Sequence, residues 1–419
     1  MRYGLIGESL PHTFSPEIHR LLGNPDYEVK ELTREELPVF MQKKEFLGIN
    51  VTIPYKEMVI PYLDEMDGPS KAIGAVNTIV NRDGKLYGYN TDYIGFARLL
   101  KENGITLAGK KVLILGTGGT SKTVRAVCKD QGAAKVKRAS RSASGNADDV
   151  ISYEEAVTTY ADAEVILNTT PCGMFPKVTQ SPIDLTAFPQ ALAVADVIYN
   201  PLTTELVLDA RALGRKAVNG LPMLVYQAEA AEEIWGVDLS GGMSGKKVSE
   251  KLACDKRNLV LIGMPGSGKT TAGNLLKETM GRTLVDTDVL IVEKEGRSIP
   301  EIFAAEGETY FRDVETKITE ELMTQTGLII STGGGTILRE ENVRNLKRNG
   351  MLIYLNPELS LLTSTEGRPL LKSVEDIKNL YEKRHEKYEA AADQIVTITE
   401  YNDTIVKEIE DAFFGNERA

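Results

Sequence analysis

Short apolar runs alternate along this chain with amphipathic stretches, the pattern of strands feeding helices. Arg2 to Gly7, Tyr27 to Leu32 and Leu47 to Ile53 predict strands, and Ser15-Pro16 opens a helix that runs to Leu22. A further helix is predicted near Glu57 to Met66. Ala75 to Tyr89 reads as a hairpin, because Asn81-Arg82-Asp83-Gly84 supplies turn chemistry, and a helix from Tyr93 to Asn103 follows. At Lys110 the pattern restarts with an apolar strand, a glycine-rich loop, a helix and a second strand over Ala134 to Ala139. Runs at Glu164 to Asn168 and Val194 to Ile198 predict later parallel strands, and a helix from Met223 to Trp235 closes the region. Such alternation predicts an α/β architecture whose second part is a doubly wound nucleotide domain. Val237 to Arg257, with Ser240-Gly241-Gly242-Met243-Ser244-Gly245-Lys246-Lys247, has little apolar periodicity and predicts a linker. A third α/β unit follows it.

Composition narrows the function classes. A chain of 419 residues exceeds one ordinary core, so two or three domains are expected. The formal net charge of -11 argues against a nucleic-acid partner, whose phosphates the overall field would repel. Cys128, Cys172 and Cys254 lie far apart without metal-ligand spacing, as expected of small buried residues in a reducing compartment. With only His12, His19 and His385, no histidine-built zinc site is expected. The start, MRYGLIGESL, has no long apolar core, and no apolar run reaches membrane-spanning length. The expectation is a cytoplasmic enzyme of small molecules, without membrane or nucleic-acid partners and with its oligomeric state open.

Two glycine-rich loops carry the chemistry. Both sit where a strand runs into a helix, which aims backbone amides and a helix N-terminus at phosphate oxygens. In the second, Gly263 to Thr270 reads GMPGSGKT and matches G-x-x-x-x-G-K-[ST] in full. Gly263, Gly266, Ser267, Gly268 and Thr271 would then cradle ATP, with Lys269 on the β/γ-phosphates and Thr270 holding Mg²⁺. The first loop, with Gly116, Gly118 and Gly119, lacks the Lys-Thr pair. Its next strand ends in Arg138-Ala139-Ser140-Arg141-Ser142, where an NAD enzyme would place an acid. A basic residue there accommodates the 2′-phosphate of NADP. Arg141 is the choice for that contact, with Ser140 and Ser142 beside it and Arg138 left to solvent.

Behind the second loop stand Val285-Asp286-Thr287-Asp288, Gly307 to Glu315 (GETYFRDVE), Ser331-Thr332-Gly333-Gly334-Gly335 and Gly367-Arg368-Pro369-Leu370-Leu371, with Arg384 and Tyr388 on a final helix. In order and spacing this series resembles shikimate kinase from about Asn258 onward. The resemblance implies that Asp286 supports the Mg²⁺ shell with Thr270 and that Asp288 accepts a proton from the attacking hydroxyl. It also implies that Arg312 and Arg384 clamp the substrate carboxylate, a match of guanidinium to carboxylate geometry. Gly334 and Gly335 would let backbone approach the polyol. Arg368, on a lid, would neutralise γ-phosphate charge.

In the first half, Asn50-Val51-Thr52-Ile53-Pro54-Tyr55-Lys56, Ala75-Val76-Asn77-Thr78 and Asn90-Thr91-Asp92 occur with His12-Thr13-Phe14-Ser15-Pro16 near the start. Asp196 to Pro201 (DVIYNP) and Met223 to Gln227 (MLVYQ) come later. This set resembles shikimate dehydrogenase from about Arg2 to Val237. Reducing a ring ketone needs a proton donor beside the carbonyl oxygen. The resemblance gives that role to Lys56, tuned and oriented by Asp92. It places Thr13, Ser15, Thr52, Asn77, Tyr199 and Gln227 around the substrate, and Asn168-Thr169 beside the cofactor. It also divides the chain into a substrate domain over 1–98 completed by a helix near 220–236, an NADP domain over 99–219, a linker over 237–257 and a kinase domain over 258–419. Thr13 stands where the family has serine, Ser140-Arg141-Ser142 where it commonly has Asn-Arg-Thr, and Ser144-Gly145 where a second arginine is often found.

The two resemblances share a metabolite. They imply a bifunctional enzyme that reduces 3-dehydroshikimate with NADPH and then phosphorylates shikimate with ATP and Mg²⁺. Two other readings stay open at this stage: an NAD-linked quinate/shikimate dehydrogenase joined to a different small-metabolite kinase, and a chain in which one half is a non-catalytic ligand-binding module.

Overall fold

The computed structural model describes residues 1–10, 13–142, 149–362, 374–400 and 404–415. The chain divides into two compact units, Met1–Asn200 with Thr204–Leu252, and Pro201–Thr203 with Ala253–Ala419.

The first unit holds two six-stranded sheets. Across the first, the strands run in the order Tyr27–Glu31, Tyr3–Gly7, Gly48–Val51, Thr78–Arg82, Lys85–Tyr89 and Glu65–Met66. Tyr3–Gly7 pairs in parallel with both neighbours, and Thr78–Arg82 pairs antiparallel with Lys85–Tyr89. Their two-residue connection has positive φ at Asp83 and Gly84, the twist a tight hairpin requires. Glu57 to Met66 departs from the helix expected there, forming a three-residue 3₁₀ turn, Ile60–Tyr62, and then the edge strand Glu65–Met66. Pro54 and Pro61 leave no room for a continuous hydrogen-bonded helix between them.

The second sheet is wholly parallel, in the order Lys216–Val218, Ala193–Asp196, Val165–Asn168, Lys111–Leu115, Lys135–Ser140 and Val150–Ser152. Side chains along its central strand alternate between two cores. Val112 and Ile114 enter one and Leu113 and Leu115 the other, so the run reads as continuously apolar. The helix Leu221–Trp235 packs against Thr91–Glu102 and against Ser15–Leu22, and Trp235 Nε1 donates to the Ile79 carbonyl at 3.0 Å.

The second unit has one parallel sheet, in the order Leu284–Asp286, Ile329–Ser331, Asn258–Ile262, Gly350–Pro357 and Gln394–Ile398. Its central strand again alternates, with Val260 and Ile262 in one core and Leu259 and Leu261 in the other. The long helical stretch Ile299–Leu322 breaks at Gly307, where φ is 83° and ψ 176°. A side chain rarely adopts that conformation, so glycine sets the direction of the segment that carries Arg312. Arg384 and Tyr388 lie on Val374–Ala391, which is not the final helix, since Gln394–Ile398 and Thr404–Phe414 follow it.

Residues 245–256 form a helix within the stretch expected to be an irregular linker. Val248 and Leu252, one turn apart, are both buried, and the Gly245 N–H donates to Glu229 at 2.5 Å. No helix among the described residues is long and apolar enough to cross a membrane.

Candidate active sites

In the first unit, Lys56 follows the strand Gly48–Val51, and Asp92 stands in the first turn of Thr91–Glu102, which Asn90 caps through Tyr93 N at 3.1 Å. Lys56 Nζ lies 2.5 Å from Asp92 Oδ2, with the two side chains 28% and 16% exposed. An ammonium held this way is fixed in direction yet still reachable by a substrate.

Around the pair, Asn77 is buried, and its Oδ1 accepts from Thr91 N at 2.7 Å and Thr91 Oγ1 at 3.2 Å. Thr91 Oγ1 also reaches Gln227 Oε1 at 3.4 Å, and Gln227 Nε2 donates to the Leu224 carbonyl. Thr13 Oγ1 donates to Ser15 Oγ at 3.1 Å at the start of its helix. Phe14 packs on the Tyr199 ring at 5.4 Å, and burial pushes the Tyr199 hydroxyl above its ordinary pKa. The Thr52 N–H donates to the Ile6 carbonyl at 3.0 Å, joining the loop ahead of Lys56 to the first strand.

The glycine loop of this unit ends Lys111–Leu115. Gly116 has φ 101°, and Gly118 precedes the helix Gly119–Asp130. A cavity of about 960 Å³ opens beside it, lined among others by Gly116, Gly118, Ser140, Arg141, Ser142 and Thr169. Arg141 thus lines the same cavity as the glycine loop. Arg138 is not solvated as expected. Its guanidinium donates to Asp149 at 3.0 and 3.2 Å, and Arg125 pairs with the same carboxylate.

Asn168 does not line this cavity, and Asp196 Oδ1 accepts from Asn168 Nδ2 and from Ile198 N, both at 3.0 Å. Thr204 Oγ1 donates to Asp196 Oδ2 at 2.8 Å. Asp196 is fully buried, and burial outweighs these donors to push its carboxyl up to about 6. It ties the loop that begins at Asn168 to the loop that carries Tyr199. Sequence alone gives the acid of the DVIYNP run no role. Nor does it point to the ion pair between Lys122, just behind the glycine loop, and Glu57, next to Lys56, at 2.8 Å.

In the second unit, the loop Gly263 to Gly268 turns on positive φ at Gly263, Gly266 and Gly268 and leads into Lys269–Met280. Lys269 is buried, with Nζ 2.9 Å from the carbonyls of Gly263 and Met264 and 3.4 Å from Ser267 Oγ. Thr270 Oγ1 donates to Asp286 Oδ2 at 2.9 Å, while Asp286 Oδ1 accepts from Asp288 N at 3.0 Å and caps Thr287–Glu295. One hydroxyl and one carboxylate fit Mg²⁺, which keeps several waters and takes its other oxygens from phosphate. Beside the loop lies a cavity of about 400 Å³ whose lining includes Gly268, Thr271, Leu275, Leu355, Ile405 and Val406, apolar enough for a flat base.

The residues expected to grip the substrate carboxylate converge. Arg384 Nη1 donates to the Gly334 carbonyl at 2.8 Å, and the Tyr388 hydroxyl donates to the same oxygen. Arg312 lies so close to Gly335 that a Cβ there would overlap its guanidinium. Asp288 lies against Gly333, where an added Cβ would meet its Oδ1. Arg312 Nη1 donates to the fully buried Glu315 at 2.8 Å and Nη2 to Glu308 at 3.2 Å. Burial lowers the Arg312 pKa, but Glu315 and Glu308 more than offset this and hold the group charged. Arg368 lies outside the described residues.

Comparison with known proteins matches the same two regions. Residues 5–79 match the family model of the shikimate dehydrogenase substrate binding domain, and residues 265–413 that of shikimate kinase. A "Shikimate dehydrogenase (NADP(+))" from Clostridium beijerinckii is 40% identical over 247 residues, 56% of this chain and 91% of its own length. The protein of that name from Geobacillus kaustophilus is 38% identical over 252 residues, again 56% of this chain and 91% of its own length. The crystal structure of a chorismate mutase/shikimate 5-dehydrogenase fusion protein from Clostridium acetobutylicum covers 60% of this chain and 96% of its own at 36% identity and a TM-score of 0.56. A Thermus thermophilus shikimate 5-dehydrogenase in complex with NADP(H) and shikimate covers 60% and 99% at 31% identity, with a TM-score of 0.53.

Proposed function

Because the chain belongs to the shikimate dehydrogenase family and carries a shikimate kinase domain behind it, we propose that it catalyses two consecutive steps on one carbocyclic acid. The first reduces 3-dehydroshikimate to shikimate, and the second phosphorylates shikimate to shikimate 3-phosphate. NADPH supplies the reducing equivalent of the first step, and ATP with Mg²⁺ the phosphoryl group of the second.

The observation that carries the first step is the Lys56–Asp92 pair. Lys56 gives its proton to the ketone oxygen as the alcohol forms, and Asp92 keeps the ammonium aimed at that oxygen. Ser15, Thr13, Asn77, Tyr199 and Gln227 hold the acid, with Thr52 on the loop before Lys56. Arg141, flanked by Ser140 and Ser142, would receive the 2′-phosphate of the cofactor, and the amides after Gly118 would hold its diphosphate.

For the second step, Asp288 accepts the proton of the attacking hydroxyl, and Arg312 and Arg384 grip the carboxylate over the Gly334–Gly335 backbone. Lys269 and the loop amides neutralise phosphate charge, while Thr270 and Asp286 would hold the metal. Support comes from the convergence of Arg312, Arg384 and Asp288 on one glycine loop.

The test is a single cuvette holding 3-dehydroshikimate, NADPH and ATP with Mg²⁺. NADPH oxidation should be followed by an equal release of ADP, and ADP release should depend on the first step. ADP release from shikimate alone, with no NADPH consumed on 3-dehydroshikimate, would overturn the reductase reading.

A further inference from the structure

The helix Ser15–Leu22 presents Ser15 to the first site, and the helix Leu221–Trp235 presents Gln227. One full helical turn beyond Ser15 stands His19, and Glu232 lies five positions beyond Gln227. Both are fully buried and meet directly, Nδ1 of the ring donating to Glu232 Oε1. Asn24 closes the far side, its Nδ2 lying 3.0 Å from each carboxylate oxygen. A carboxylate without exposure is stable in a fold only when such donors surround it. Burial lowers the pKa of His19, so the ring stays neutral, and its Nδ1–H remains available for Glu232.

The ring also supports the floor of the same site. His19 stacks on Tyr27 at 3.6 Å and 8°, and the Tyr27 hydroxyl donates to Asn50 Oδ1 at 2.8 Å. Asn50 Nδ2 donates to Thr78 Oγ1 at 3.0 Å, and Thr78 Oγ1 meets Thr91 Oγ1 at 2.8 Å. Thr91 is the residue that fixes Asn77 and reaches Gln227. A chain of buried groups therefore runs from Glu232, through the His19–Tyr27 stack, to Asn77 and Gln227, two of the residues placed around the acid.

We propose that Glu232, His19 and Asn24 form a positioning device for the dehydrogenase site, locking the Ser15 helix to the Gln227 helix and so setting the width of the pocket that receives the acid. The inference rests on the reading that Ser15 and Gln227 hold the substrate. Without the lock the two helices still pack through their apolar faces, but their relative placement is no longer set by directional bonds.

The chain contains a single tryptophan, Trp235, which stands 5.7 Å from the His19 ring and supplies a probe. Shikimate is titrated into the full chain while Trp235 fluorescence is followed, and the same is done for Glu232→Gln and Asn24→Ala. The Kd should rise about tenfold in Glu232→Gln and about threefold in Asn24→Ala, a loss of roughly 0.7–1.4 kcal/mol of binding. The KM for the keto acid should follow. The kcat, the KM for NADPH and the kinase rate of the same chain should stay within about twofold. Wild-type Kd in both folded variants overturns the proposal, as does a parallel loss of kcat and NADPH affinity, which marks general loosening. Should Glu232→Gln fail to fold, Asn24→Ala alone decides. Failure of the unmodified chain to bind shikimate would instead overturn the functional reading itself.

Discussion

Lys56 Nζ sits 2.5 Å from Asp92 Oδ2, although the two residues come from different elements of the first sheet layer and neither is buried. Both side chains keep partial contact with solvent, which leaves the ammonium within reach of a small molecule. Lys56→Ala should slow turnover in the reductase reaction by about 10²–10⁴-fold, and Asp92→Asn by a smaller factor in the same range. Initial rates of NADPH oxidation at saturating keto acid check this. Kinase turnover in the same preparation is the control and should be unchanged.

Arg141 lines the cavity beside the first glycine loop, just after Lys135–Ser140, whereas Arg138 is engaged with Asp149. Arg141→Ala should therefore raise the KM for NADPH about tenfold or more while leaving the KM for NADH within about twofold. Steady-state kinetics with both cofactors checks this. Equal losses for both would place Arg141 on a part that the two cofactors share.

Gly335 lies against the Arg312 guanidinium with no space for a methyl group. Gly335→Ala should displace Arg312 and raise the kinase KM for shikimate by about tenfold or more, with the KM for ATP nearly unaffected. Dehydrogenase kinetics should not change. Initial rates over a shikimate series decide it.

Asp196 gives a pH signature. Its folded pKa, raised by burial to about 6, exceeds the unfolded value of about 4. Between those values the folded chain keeps a proton that the unfolded chain has released. The stability tied to this proton is present below about pH 4 and lost as the pH rises through about 6. Asp196→Asn keeps the shape without the titration. The unfolding midpoint of the wild type relative to the variant, read from Trp235 fluorescence, should fall between about pH 4 and about pH 7. A constant difference across that window would refute the assignment.

Much of the fold was legible because its signals are local. NLVLI before GMPGSGKT, an apolar run into glycines and Lys-Thr, announces a strand, a turn on positive φ and a helix, and the structure builds all three there. Asn81 to Gly84 announces its hairpin in the same way. The helix Gly245–Lys256 was not legible, since its buried apolar residues are few, Val248, Leu252 and Cys254, and two glycines stand shortly ahead of it. The Glu57 to Met66 segment misled because its charges suit a helix, whereas Pro61 and pairing with the hairpin decide otherwise.

Within the sites, Lys269 could be proposed from sequence because it stands in a complete G-x-x-x-x-G-K-[ST] run, and Lys56 because the segments around it resemble shikimate dehydrogenase. Residues that act through a distant partner could not. Asp196 matters because of Asn168 and Thr204, and no spacing rule connects it to either.

The Gly334 carbonyl accepts from both Arg384 and Tyr388, which engages both of its lone pairs. Rotating that peptide would break two bonds at once, so this stretch of backbone behaves as a rigid template. Under the proposed function, a bulkier ring would find no compliance in it. Discrimination at that end would then be a matter of fit, settled before any bond is made.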